Sequence, residues 1–98
     1  MPANCALSTV ARHFAAIVRE GHGAACYGEF VGKLSAGLAA CPEHPLLPEC
    51  ERALRRIAVA ESLHVHTSEV LAPFIADEIE TFARLVDELY EQPVAGGP

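Results

Sequence analysis

Large apolar residues recur every three or four positions through nearly the whole chain, with charged residues between them. Leu7, Val10, Phe14, Ile17 and Val18 trace one face of a helix, and Arg12, Arg19 and Glu20 fall off it. Asn4 or Ser8 can cap its start, and the triplet Gly21-His22-Gly23 ends it. Tyr27, Phe30, Val31, Leu34 and Leu38 repeat the spacing up to Pro42, which terminates the second helix. Pro48 suits the first turn of a third helix, where its missing N–H costs nothing, and Leu54, Ile57, Ala58 and Val65 form that helix's stripe. The fourth helix begins near Thr67 or Ser68, or restarts at Pro73, and runs to about Glu91. Along it Ile75, Ile79, Phe82, Val86 and Leu89 make a heptad seam, flanked by Phe74, Leu85 and Tyr90.

No segment alternates apolar and polar residues in the way a half-buried strand does. Short connections between amphipathic helices make neighbours antiparallel, so the pattern predicts an all-α, up-down bundle of four helices. A break of the fourth helix near Pro73 is compatible with that pattern. Residues 1–93 are expected to form one helical-bundle domain, and residues 94–98 a flexible C-terminal tail. The stretch from Cys26 to Pro45 resembles the second helix of a tetratricopeptide repeat in Tyr27, Leu34, Leu38 and Pro42. Phe30 stands where that pattern has alanine, and one repeat length beyond Pro42 stands Ala76 with no second copy around it. The chain is therefore assigned to no family on this stretch.

Composition narrows the function classes. With 98 residues, 51% of them hydrophobic, the chain holds enough apolar material for one core. No run reaches the ~18 apolar residues of a membrane span, and the N-terminus lacks a basic segment ahead of an apolar block. A cytoplasmic protein is expected, with its four cysteines reduced. The net charge of −6 argues against nucleic acid. Residues 1–68 carry six acidic and six basic side chains, so the whole excess lies in Glu69, Asp77, Glu78, Glu80, Asp87, Glu88 and Glu91 against Arg84.

Topology brings chemistry-bearing residues to the two poles of such a bundle. His22, Cys26, Glu61, His64, His66 and Glu69 share one pole; Cys5, Cys41, His44 and Cys50 share the other. Both sets contain zinc-ligand types. Cys41, His44 and Cys50 have the form Cys-x2-His-x5-Cys, with Cys5 as a fourth ligand, but structural zinc sites ordinarily show two close ligand pairs. Cys41 and Cys50 also flank a loop short enough for a disulfide, worth about 2–3 kcal/mol in an oxidising compartment. Glu61 lies within the third helix's apolar stripe and would need His64, His22 or water as its partner.

Catalytic patterns are weaker. The chain has no G-x-S-x-G elbow, no phosphate-binding glycine loop and no H-E-x-x-H, which leaves Cys26 with His22 as a generic nucleophile–base pair. A non-enzymatic role is the expectation. Two features point to association. Gly28, Gly32, Ser35 and Ala39 form a ridge of small residues suited to close helix packing, within the monomer or across a dimer. On the fourth helix, Leu71, Ile75, Phe82, Val86 and Leu89 would carry packing, while Asp77, Glu80, Asp87 and Glu91 would supply charge complementarity to a basic partner. The leading expectation is a small, acidic, self-associating protein-interaction module: a chaperone, an immunity or antitoxin-like inhibitor, or a regulatory adaptor. The alternative is a bundle that binds zinc or a small ligand through a Cys/His pole.

Overall fold

The helices end where the punctuation residues stand. The computed structural model describes residues 4–41 and 43–91, with side chains described from residue 6 onward. Within them lie α1 (Asn4–Arg19), α2 (Tyr27–Ala39), α3 (Leu47–Ser62) and α4 (Ala72–Glu91), with a single 3₁₀ turn at Val65–Thr67 and no strand. Cys5 as a ligand and the tail at residues 94–98 lie outside the described residues.

Each terminus has a local cause. Gly21 takes a left-handed backbone after α1 (φ 85°), and His64 does the same after α3 (φ 58°), the position where L-residues other than Asn or Asp rarely sit. Pro48 occupies the first turn of α3. Pro73 lies in the first turn of α4 and begins the helix there; it breaks nothing. Ser68 serves that start, its hydroxyl accepting from the Leu71 N–H at 3.2 Å and its carbonyl from Ala72 at 2.8 Å. Ser8, expected as a cap, instead lies inside α1, buried, with its hydroxyl bonded to Asp87.

The bundle runs up-down-up-down. Arg12 of α1 meets Asp87 of α4 and Arg19 meets Asp77, so the two helices are antiparallel. Tyr27 at the start of α2 bonds to Ile57 in the second half of α3, and Leu7 near the start of α1 lies against Gly37 near the end of α2. The most extensive interface is α1 with α4. Ala11, Ala15, Ala76 and Ala83 are all fully buried along these two helices, and such small side chains let helices approach closely. Larger residues fill the centre: Phe14, Tyr27, Leu34, Ile57, Ile79, Phe82, Val86 and Leu89.

The ridge of small residues on α2 does not pack in this way. Gly28, Gly32, Ser35 and Ala39 are all exposed. A missing side chain permits a close approach at two positions on α2: an added Cβ would sit 2.8 Å from Glu61 Oε2 at Gly28 and 2.6 Å from Leu7 Cδ1 at Gly37. At Gly32 an added Cβ would meet nothing within 4 Å. Helix interiors favour alanine over glycine, chiefly by reducing unfolded-chain entropy. Gly32→Ala is therefore expected to stabilise the protein by about 0.5–1 kcal/mol in urea denaturation. Destabilisation would show that something occupies that face.

Candidate functional site

The heptad seam of α4 lies mostly inside the monomer. Phe82, Val86 and Leu89 are buried, so they build the core and are not offered to a partner; Leu71 is exposed and Ile75 half-buried. The acidic face of α4 is answered in the same way by the chain's own arginines. Arg19 pairs with both Asp77, at 2.6 Å, and Glu80, and Arg12 pairs with Asp87 at 2.6 Å. Arg56 of α3 pairs with Glu78. Glu91 is exposed. The charge that the sequence reserves for a basic partner thus largely clamps α1 and α3 to α4. These are part-exposed pairs worth roughly 0.2–1 kcal/mol each.

Cys41 and Cys50 at the cysteine pole, and Cys26 at the other, are free thiols, so Cys41 and Cys50 form no disulfide. Cys41 Sγ lies 3.4 Å from the Gly37 carbonyl and accepts a hydrogen bond from the Tyr90 hydroxyl at 3.3 Å. That hydrogen bond, with burial, pushes the Tyr90 phenol up to about 12. Cys50 is fully buried; burial first and the neighbouring Cys41 second push its thiol up to about 11. Nδ1 of His44 accepts from the Leu46 N–H at 3.0 Å and shapes the turn into α3.

The residues of the histidine pole take separate roles. His22 is exposed, and Cys26 Sγ is directed to the Gly23 carbonyl at 3.8 Å. Glu61 is exposed with its carboxylate over Gly28, where an added Cβ would come within 2.8 Å of Oε2. His66 packs its ring on Tyr27, 4.4 Å between centroids, and its Nδ1 lies 3.4 Å from the Ala60 carbonyl, a contact that requires that nitrogen to carry the proton. His64 stands 6.4 Å from His66, ring to ring. Among the described residues, no three His, Cys, Asp or Glu side chains come together in a metal-binding arrangement.

What the same pole does assemble is apolar. Docking of His66 on Tyr27 holds the 3₁₀ turn against the end of α3, and this places Val65 opposite Val59, Ala60 and Leu63. Together with Ile75 these residues line a groove of about 440 Å³, with Arg52, Arg55 and Arg56 along its α3 side. The large hydrophobic residues that the fold leaves exposed are Val59 (46%) and Leu63 (66%), which line the groove, and Val70 (75%), Leu71 (42%) and Phe74 (66%), which lead into and begin the helix that carries Ile75. Val59 stands one turn before Leu63, which caps the end of α3; Leu71 immediately precedes α4, and Phe74 and Ile75 lie in its first turn. The sequence reading missed Val59, Leu63 and Val70. Their signal was available as bulky apolar residues lying off the Leu54–Ile57 stripe.

No family model, curated protein or solved structure matches the chain. Its site therefore rests on its own geometry. No helix among the described residues is long and apolar enough to cross a membrane.

Two titrations follow from these contacts. Burial alone would raise the Asp87 carboxyl, but hydrogen bonds from Arg12 and Ser8 and the Arg12 charge outweigh it and hold the group below its ordinary value. A carboxyl depressed in the folded state stabilises above its unfolded pKa, and that stability is lost as pH falls through the folded value. Asp87→Asn should cost about 0.5–1 kcal/mol at pH 7, with the gap to wild type closing in urea denaturation as pH falls below the ordinary carboxyl value and through the depressed folded one. Cys50 runs the other way. Its raised thiol stabilises fully below its ordinary value of 9.0, and that contribution is lost as pH rises toward about 11. Cys50→Ala should therefore lose less stability than wild type across that interval in thermal scans, the buried tyrosines accounting for the remainder.

Proposed function

We propose that the protein is a small helical protein–protein interaction module, without chemistry of its own, that seats its partner on the face formed by α3, the 3₁₀ turn and the start of α4. It would work as a chaperone, an inhibitor or a regulatory adaptor works, by covering or being covered. The observation that carries this reading is the group of five large hydrophobic side chains left 42–75% exposed between Val59 and Phe74, two of them lining the groove.

Singly exposed hydrophobic residues are ordinary, whereas a clustered set marks a docking surface. Full burial of a leucine, valine or phenylalanine is worth about 1.5–3 kcal/mol, so this face forgoes most of that gain until something covers it. The remainder of the surface supports the assignment by contrast. On α4 the acidic residues Asp77, Glu80 and Asp87 already have arginine partners, and the seam residues Phe82, Val86 and Leu89 are already buried.

Photo-crosslinking tests the proposal. The chain carrying p-benzoylphenylalanine at position 74 should yield, in cells, one discrete adduct whose second component is identified by mass spectrometry. The same label at Ala36, exposed on α2, should yield none. Leu63→Asp in the labelled chain should abolish the adduct. An absent adduct at position 74, or the same smear from both positions, would sink the interaction reading.

A further inference from the structure

We infer that the occupant of this face is a second copy of the chain, related by a two-fold axis, with Arg55 of each subunit opposite Glu69 of the other. The inference rests on the interaction reading above and names its partner.

The patch has a charge at either end. Arg55 lies one turn before Val59 on α3, and Glu69 lies beside Val70 in the approach to α4. Among the described residues neither forms an ion pair, although the arginines beside Arg55 do: Arg52 with Glu49 and Arg56 with Glu78. An acidic partner would satisfy Arg55 and set Glu69 against like charge; a basic partner would do the reverse. A two-fold contact applies one surface to itself, so residue i meets j and j meets i. The strip then supplies both complementary charges from one sequence, twice over, with the hydrophobic residues between them.

Area supports the same occupant. The exposed parts of Val59, Leu63, Val70, Leu71 and Phe74 amount to on the order of 500 Å². A standard-size interface buries ~800 Å² per partner, of which a little over half is apolar, so this patch is about the apolar share of one side. The net charge of −6 opposes the approach of two copies. At physiological ionic strength that repulsion is screened beyond about 8 Å, which leaves the contact itself to decide.

Sedimentation equilibrium of the full chain tests the inference. The wild type should equilibrate at twice the 10.4 kDa of one chain. The double variant Leu63→Ser/Phe74→Ser should be a monomer with an unchanged helical circular dichroism spectrum, because both side chains are 66% exposed within a subunit. Arg55→Glu and Glu69→Arg alone should each raise the dissociation constant about tenfold, and the two together should restore it. A wild type that stays monomeric at its highest soluble concentration overturns the inference; a discrete adduct with a different protein at position 74 then leaves the interaction reading standing. A dimer that survives Leu63→Ser/Phe74→Ser overturns it too, since the contact must lie elsewhere. A charge-reversed pair that fails to recover overturns the two-fold register.

Discussion

The phenol of Tyr27 is buried in a core that is otherwise almost wholly apolar, and it is tolerable there only because its hydroxyl donates to the Ile57 carbonyl at 2.6 Å. Burial, with the nearby Glu61 charge, raises this phenol well above its ordinary pKa, so it stays a neutral donor. The bond joins α2 to α3 at one defined height. The ring carries the rest: Phe14 of α1 meets it edge-on at 4.9 Å, and His66 of the 3₁₀ turn lies over it at 4.4 Å. One side chain thus touches every element except α4, and the register of the upper half of the bundle depends on it. The groove depends on it as well, because the turn that carries Val65 is held where His66 meets Tyr27.

On the far side, α4 is held by packing and charge acting together. Alanines keep α1 near, and Arg12 and Arg19 reach across to the carboxylates that give α4 its acidity. The chain's acidic excess is in large part an internal clamp. This changes what recognition can mean for the protein. A basic partner would have to compete with arginines already in place, whereas the apolar face at the α3–α4 pole has no internal competitor. Electrostatics at that face act at its ends, through Arg55 and Glu69, and there they set orientation more than strength.

Much of this could be read from residue order. The apolar period of three to four, Pro48 and Pro73 in first turns and Gly21 after α1 located the helices and the up-down course. The alanine interface was less visible, because Ala11, Ala15, Ala76 and Ala83 contribute little to a hydrophobic stripe and yet decide how near two helices come. Small residues at helical spacing permit close packing without demanding it: within the monomer Gly28 lets Glu61 approach, Gly32 meets nothing, and the closest approach is at Gly37, off the ridge. Topology groups polar residues by pole, but shared height is not convergence. His44, His66 and Cys41 each turn to a backbone or side-chain partner of their own.

By itself the sequence determined the number of helices, their antiparallel order and the placement of net charge, because each follows from local periodicity and backbone preference; the end of α3 did not follow, since Val65 keeps the helical spacing yet lies in the 3₁₀ turn beyond Ser62. Only the tertiary structure decided which apolar residues are covered. A helix in a four-membered ring is shielded over part of its circumference, and the neighbours' size and tilt choose that arc. Val86 and Phe74 are both apolar; the first is fully buried in the core, while the second stands in the first turn of α4 and stays in water. Which acids are neutralised was decided in the same way, by how far the arginines of an adjacent helix can reach.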